Sequence, residues 1–188
     1  MSYRPICDTW ILARPKLKDG TTYHGSYPAG FLHRARALLG VGPDASVLHI
    51  CGGMVRKYPY RGFGSNDRTL DLDPACEPDY LQDARDELPL RPIAGEAPKT
   101  TPWDAVLIDR PYTEEDAAHY APGSSSLPAL NDLLRRALAV VPLGHRVGCL
   151  DYLWPHPGKH GQEVAVVAVG TGRNARARWF TVFQRIDV

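Results

Sequence analysis

"WDAVLIDRPY", residues 103–112, combines a buried strand with the turn that follows it. The apolar run that begins at Ala105 stops at Asp109, and Arg110, Pro111 and Tyr112 come directly after it. A short apolar run bounded by turn residues is typical of a strand buried on both faces of a parallel sheet. Because a carboxylate is costly to bury without a partner, its place at the end of this strand predicts a functional position.

Apolar runs alternate with helical segments along the rest of the chain. This alternation predicts an α/β fold, a mostly parallel sheet with helices on both faces. The last two strands are joined by a segment too short for a crossover helix, so they should form an antiparallel hairpin. Helices are expected over residues 31–42 and 127–141, and the seven expected strands cover 46–51, 68–73, 78–84, 105–109, 146–154, 163–170 and 178–186.

Length and composition predict a single domain over residues 1–188. At 188 residues and 44% hydrophobic, the chain can build one sizeable core and is short for two. The net charge of +1 gives no overall attraction to nucleic acid or membranes, so such affinity depends on local patches. The Pro/Gly-rich segments 88–102 and 122–128 are expected to be surface loops within this domain.

Localisation and metal content are constrained by what the sequence lacks. It shows no signal peptide, and no apolar run approaches the roughly 18 residues of a membrane span, so we expect an intracellular protein with no membrane partner. The four cysteines lack CxxC spacing and the histidines match no zinc pattern. Reduced thiols and no metal site are therefore expected.

Candidate ligand contacts follow the ends of four predicted strands. Ligands of open parallel sheets bind beyond the carboxyl ends of the strands. Glycines after the first strand would let a ligand approach the backbone. Acids after the second strand could bind ribose hydroxyls. An acid after the third strand could accept a hydrogen bond from an adenine amino group. These residues are Cys51, Gly52 and Gly53, then Asp71 and Asp73, then Asp83 and Ala84, and finally Asp109.

The segments "VLHICGGM", "LDLDP", "LQDARD", "WDAVLIDRPY" and "VVPLGHRVG" resemble, in this order, the motif series of the S-adenosylmethionine-dependent methyltransferases. The strand order with a terminal hairpin is similar to theirs, and "DRPY" resembles the Asp/Asn-Pro-Pro-Tyr signature of enzymes that methylate adenine or cytosine at the exocyclic nitrogen. The resemblance covers nearly the whole chain from Tyr23. It implies a Rossmann-like methyltransferase fold and the cofactor S-adenosylmethionine.

The resemblance also implies a reaction, methyl transfer to a nucleobase amino group, with adenine in DNA favoured as the acceptor. Asp109 and the carbonyl of Arg110 would accept hydrogen bonds from the amine, Pro111 would stiffen the turn, and Tyr112 would stack on the base. RNA or a small molecule is an alternative acceptor. A catalytically inactive Rossmann-like module that binds cofactor or nucleic acid is a further alternative.

Arg110 departs from the signature, which usually has proline there. The backbone carbonyl remains available, so the mechanism survives the change. The Arg110 side chain could bind a phosphate, or it could fill the pocket and mark lost activity.

Two other segments are candidate binding elements. The segment before the first helix, with Tyr23, His24 and Ser26, lies where related enzymes carry an extra cofactor-binding element, although Ser26 could simply cap the helix. Residues 55–67 have room for at most a short helix and interleave basic with aromatic side chains. They could contact nucleic acid through Arg56, Lys57, Tyr58 and Arg61, or pack their aromatic rings on the core.

The loops are too short to hold a target-recognition domain. Either specificity is low, or a partner or second subunit supplies it. Small stand-alone enzymes of this type occur in bacteriophages and their hosts, so the resemblance implies the cytoplasm of a bacterial or phage-infected cell.

Overall fold

The computed structural model describes residues 4–14, 27–57, 62–93, 100–120, 127–172 and 176–187. The helices are α1 (Phe31–Leu39), α2 (Glu114–Tyr120) and α3 (Leu130–Ala139). The strands are β1 (Ile6–Ile11), β2 (Val47–Ile50), β3 (Arg68–Asp71), β4 (Tyr80–Leu81), β5 (Arg91–Pro92), β6 (Thr100–Thr101), β7 (Ala105–Ile108), β8 (Arg146–Asp151), β9 (Gly161–Gly170) and β10 (Arg178–Arg185). Short 3-10 helices cover Val55–Lys57, Pro74–Cys76 and Gly158–His160.

Eight strands form the main sheet, in the order β1-β9-β10-β8-β7-β2-β3-β4. Neighbouring strands are parallel except at β10, which runs antiparallel to both β8 and β9. The expected α/β fold, with a mostly parallel sheet and a C-terminal antiparallel hairpin, is therefore confirmed.

The sheet has one strand more than the seven expected, because β1 lies at its outer edge, parallel to β9. Trp10 is the one buried residue of β1. The sequence signal for a strand comes from the regular burial of its side chains. An edge strand with a single buried ring gives almost no such signal, which is why the sequence did not predict it.

Two apolar cores lie on the two faces of the sheet. Ala105 and Leu107 of β7 belong to the core under α1, whereas Val106 and Ile108 belong to the core under α3. Successive side chains of a strand point to opposite faces, so β7 is buried on both sides, as its apolar run predicts. The expectation of helices on both faces is confirmed.

Helix α1 has a simple local explanation. Its buried residues recur at helical spacing, and it ends at Gly40, whose φ of +72° is the left-handed conformation that favours glycine at a helix C-terminus. The residue before the helix, Gly30, provides no side-chain cap. The proposed cap Ser26 lies outside the described residues.

A buried carboxylate, Asp67, joins α1 to β2 and to the loop before β3. Arg36 donates to both of its oxygens at 2.9 and 3.0 Å, and Nε2 of His49 lies 3.2 Å from Oδ2. The backbone N–H groups of Val47 and Gly64 also donate to it, at 3.1 and 2.7 Å. His49 is thus a core residue, and this network anchors β2, the strand that precedes Gly52 and Gly53.

The segment 88–102 corrects one expectation. It was predicted to be a surface loop, but Leu88 is buried in the core under α3, and the segment carries the small antiparallel ribbon β5-β6. Within the part of the chain that is described, no helix has the length and apolar character needed to cross a bilayer.

Candidate active site

The carboxyl ends of β2 and β3 meet at the glycine loop. Oδ2 of Asp71 accepts a hydrogen bond from the backbone N–H of Gly53 at 2.9 Å, and Oδ1 accepts from that of Asp73 at 3.1 Å. Burial raises the pKa of Asp71, and these backbone donors oppose the shift. Asp71 therefore holds the glycine loop and the turn after β3 in one arrangement.

The loop conformation explains its small residues. A Cβ at Gly52 would lie 3.1 Å from Cβ of His49 and 3.3 Å from Cγ2 of Thr69, so a larger residue would push the loop outward. Cys51 has a φ of +56°, a strained value for a residue with a side chain. Burial raises the pKa of the Cys51 thiol well above its usual range, so this thiol is neutral and unreactive.

The other predicted cofactor acids are engaged locally. Asp73 accepts from the backbone N–H of Ala75 at 2.9 Å and caps the 3-10 helix Pro74–Cys76. Asp83 accepts two hydrogen bonds from Nε and one from Nη2 of Arg85, which lower the pKa of its carboxyl. Ala84 is buried. The structure therefore brings all of these residues to the expected edge, with Asp71 closest to the glycines.

Asp109 is the most unusual acid of this edge. It follows β7, is 9% exposed, and accepts a hydrogen bond from the Tyr112 hydroxyl at Oδ1. Burial raises the pKa of Asp109 to about 6, although Arg178 and the Tyr112 hydroxyl favour its ionised form. A buried carboxylate that still ionises near neutral pH is typical of a functional group.

Tyr112 is held on several sides. Its ring centre lies 4.5 Å from that of Tyr152, and the Arg178 guanidinium lies 5.8 Å from it. Nη1 of Arg178 donates to the Tyr112 hydroxyl at 2.7 Å. The stacking of Tyr112 on a base remains a prediction, and in this arrangement its neighbours are protein side chains.

Arg110 points away from solvent, which corrects the expectation that it could bind a phosphate. Its side chain is 4% exposed, and Nε lies 2.9 Å from Oδ2 of Asp151, the last residue of β8. Burial raises the pKa of Asp151, and the charge of Arg110 opposes that shift. The arginine therefore pairs with an acid beneath the site and is not available to an exposed phosphate.

A cleft of about 410 Å³ opens next to Tyr112. It lies between the ends of β1, β9 and β10 and the start of α2. Three arginines, two acids and one aromatic ring line most of it: Arg14, Arg176, Arg178, Glu115, Asp116 and Tyr152. Arg176 lies over Tyr152, 5.9 Å from the ring centre. In the strand order, β7, which Asp109 follows, lies between β2 and the strands that border this cleft.

The segment after the glycine loop forms a 3-10 helix, Val55–Lys57, so the expectation of a short helix is confirmed. Arg56 pairs with Asp79 and lies 5.5 Å from the ring centre of Phe63. Phe63 itself packs on the core under α1, 5.1 Å from the ring of His49. For this ring the core-packing alternative is the correct one.

Several predicted contacts cannot be located. Tyr23, His24, Ser26, Tyr58 and Arg61 lie outside the described residues, and Lys57 is described only as the end of its 3-10 helix. Their roles remain predictions. In the described ranges, no group of three or more metal-ligating side chains comes together.

Sequence reasoning missed Asp151 as a site residue, and it missed the contact of Arg178 with Tyr112. Asp151 carries the same signal as Asp109, an acid at the end of an apolar strand, but the predicted strand continued past it to Trp154. Arg178 contacts Tyr112 across 66 residues of sequence, and no local pattern marks such a contact.

Comparisons with known proteins identify the fold. No family model and no curated protein sequence matches the chain. Among solved structures, TrmN from Thermus thermophilus matches with a TM-score of 0.54 and 19% identity over 87% of this chain and 50% of that one. An rRNA methylase from Streptococcus thermophilus is also similar, with a TM-score of 0.47 and 9% identity over 83% of this chain and 97% of that one. The N-methyltransferase NodS from Bradyrhizobium japonicum matches with a TM-score of 0.48 and 10% identity over 84% of this chain and 98% of that one.

The likeness to the Thermus protein shows a Rossmann-like methyltransferase fold. The chain spans half the length of that protein. At such identity the likeness extends to the fold alone.

Proposed function

From this fold, we propose that the chain transfers a methyl group from S-adenosylmethionine to the exocyclic amino nitrogen of a nucleobase, with adenine in DNA as the favoured acceptor. The observation that carries the proposal is Asp109, a buried carboxylate between the glycine loop and the polar cleft. The resemblance implies a cytoplasmic site of action in a bacterial or phage-infected cell.

The residues around the glycine loop fit the cofactor. Each oxygen of Asp71 accepts one backbone hydrogen bond, and a carboxylate oxygen can accept two. Asp71 therefore retains acceptor capacity for ribose hydroxyls. Gly52, with no side chain between His49 and Thr69, keeps the loop backbone close to the strand ends and open to a ligand. The bound cofactor would supply an electrophilic methyl group on a sulfonium.

Asp109 would prepare the amine for transfer. The nitrogen lone pair of an amine attached to a nucleobase is delocalised into the ring, which makes the amine a poor nucleophile. Hydrogen bonds from its two N–H groups to Oδ2 of Asp109 and to the carbonyl of Arg110 would direct the lone pair toward the methyl group. Since Oδ2 of Asp109 must accept one of these bonds, Asp109 acts in its ionised form.

Arg110 supports the acceptor geometry from beneath. Its ion pair with Asp151 connects the loop after β7 to the end of β8. This contact gives the side chain that departs from the signature a partner within the fold.

The polar cleft favours a nucleic-acid acceptor over an apolar small molecule. Arg14 and Arg176 could pair with phosphates, and Tyr152 offers an aromatic ring beside Tyr112. RNA remains an alternative to DNA, because stacking and phosphate pairing do not distinguish the sugar. A partner or second subunit that supplies sequence specificity is part of the proposal.

The test is transfer of a labelled methyl group from S-adenosylmethionine to duplex DNA, single-stranded DNA and RNA, with the modified nucleoside identified by mass. We expect label on an amino nitrogen, and we expect Asp109→Ala to lose at least about 100-fold in transfer rate while calorimetry shows retained cofactor binding. Asp44→Ala, which removes a carboxylate from an exposed turn, is the matched control. An unchanged transfer rate in Asp109→Ala would refute the role of Asp109.

A further inference from the structure

Arg178 reaches the candidate active site from β10, the second strand of the C-terminal hairpin. Its Nη1 donates to the hydroxyl of Tyr112 at 2.7 Å, and that hydroxyl donates to Oδ1 of Asp109. The three side chains form one continuous chain of contacts from the hairpin to the acid.

The direction of these hydrogen bonds follows from the groups involved. A guanidinium can only donate, so the Tyr112 oxygen accepts from Arg178. The hydroxyl proton is then directed to Oδ1 of Asp109, which receives it best as a carboxylate. Oδ2 is the oxygen left to face a substrate.

We infer that Arg178, acting through the Tyr112 hydroxyl, is a positioning residue that keeps Asp109 ionised and leaves Oδ2 for the substrate amine. The inference rests on the proposed function, because that function gives Asp109 its acceptor role.

Burial and three neighbouring side chains set the ionisation of Asp109. Arg178 from β10 and Tyr112 from its own loop favour the ionised form, whereas Asp151 at the end of β8 opposes it. The Cys51 thiol at the end of β2 is neutral, because burial raises its pKa. With burial already raising the pKa of Asp109 to about 6, loss of Arg178 would move its ionisation into the physiological range.

The direct test is a carboxyl NMR titration, with the Asp109 signal assigned by its absence in Asp109→Asn. We expect Arg178→Met to raise the pKa of Asp109 by about 1–3 units, because an opposite charge at this range lowers a carboxyl pKa by that amount. Arg178→Lys, which keeps the charge, should shift it less. Arg135→Met removes an exposed arginine from α3 and should leave it unchanged.

The route through Tyr112 is tested by a double-variant cycle. Tyr112→Phe should also raise the pKa of Asp109, and adding Arg178→Met to it should raise the pKa further by less than in the wild type, because only the direct charge effect of Arg178 then remains. Fully additive shifts would refute the route through the hydroxyl. If Arg178→Met does not fold, two other variants carry the test. We then expect the pKa of Asp109 to rise in Tyr112→Phe and to stay close to its wild-type value in Arg178→Lys.

Methyl transfer provides the functional readout. The acid limb of the kcat profile should move to higher pH in Arg178→Met, with a loss of about 2- to 100-fold at pH 7 that shrinks to about twofold or less at pH 9. A loss equal at every pH, or an unchanged pKa of Asp109, would overturn the inference even if transfer itself is robust. If the wild type methylates no acceptor and the NMR shift is present, the proposed function fails while the coupling of Arg178 to Asp109 stands.

Discussion

Asp109 experiences two opposing requirements. Its proposed role requires an ionised carboxylate, while its burial favours the protonated acid and raises its pKa from 3.8 to about 6. The folded state therefore binds the proton more tightly than the unfolded state. The resulting contribution to stability is complete below pH 3.8 and is lost as the pH rises through 6.

This balance predicts that Asp109→Asn stabilises the protein while it removes activity. Asparagine has the same shape and no charge to desolvate, so its advantage should grow from pH 4 to pH 8 and reach about 3 kcal/mol, at 1.36 kcal/mol per pKa unit. Urea unfolding at several pH values measures it. Asp44→Asn is the control for removing one exposed carboxylate, and parallel pH curves for wild type and Asp109→Asn would contradict the prediction.

Arg110 and Asp151 form a buried ion pair next to Asp109. Restoring the usual proline with Arg110→Pro would leave Asp151 buried without its partner, and we expect a loss of about 3–5 kcal/mol in unfolding free energy. Arg110→Pro/Asp151→Asn should regain most of this loss, because the uncompensated charge is gone.

The exposed pair Arg135–Asp132 provides the comparison, since breaking it should change the unfolding free energy by less than about 1 kcal/mol. If the double variant is as unstable as Arg110→Pro alone, the loss of stability does not come from an uncompensated charge on Asp151, and the prediction is wrong.

At the scale of single residues, the location of a side chain is predictable where a local pattern marks it. Asp71 and Asp109 each end an apolar strand, and both lie at the expected edge of the sheet. The orientation of Arg110 was not predictable, because its partner Asp151 is brought beside it only by the pairing of β7 with β8. The same holds for Arg178, which approaches Tyr112 because β10 is inserted between β8 and β9.

At the scale of elements, the loop after the glycines is held against α1 by one close backbone contact. Gly62 has a φ of +105°, and a Cβ there would lie 2.6 Å from the backbone nitrogen of His33. Gly62→Ala should therefore destabilise the protein by more than about 2 kcal/mol, the sum of an unfavourable φ and a clash with backbone that cannot turn away.

Gly42→Ala is the matched control, because a Cβ at Gly42 meets nothing within 4 Å and its φ is not positive. Thermal unfolding of the two variants measures the difference. Equal melting temperatures would show that the loop adjusts freely at Gly62.

Strands could be predicted from the sequence where most of their side chains are buried. The four-residue strands β2 and β7 are buried throughout and were recognised, while their predicted bounds extended one residue too far. The edge strand β1 and the ribbon β5-β6 were missed, because strands with few buried side chains leave no periodic pattern in the sequence.

For the molecule as a whole, Asp109 divides the carboxyl edge of the sheet into two parts. The glycine loop and Asp71 lie on the side of β2 and β3, and the polar cleft lies on the side of β1, β9 and β10. The first part was predictable because its residues follow strands in short motifs. The second draws Arg14 from the start of the chain and Arg178 from its end, so only the folded topology reveals it.

The pairing of β1 with β9 has a consequence for synthesis on the ribosome. Ile6 pairs with Ala165, 159 residues later, so β1 cannot form this pairing until β9 has been translated. At about 5–20 residues per second, this wait lasts roughly 8–30 s. During that time Ile6 and Ile11 belong to an unpaired nascent segment, a natural binding site for a chaperone, and the cleft that contains Arg14 can form only after β9 and the start of β10 have been made.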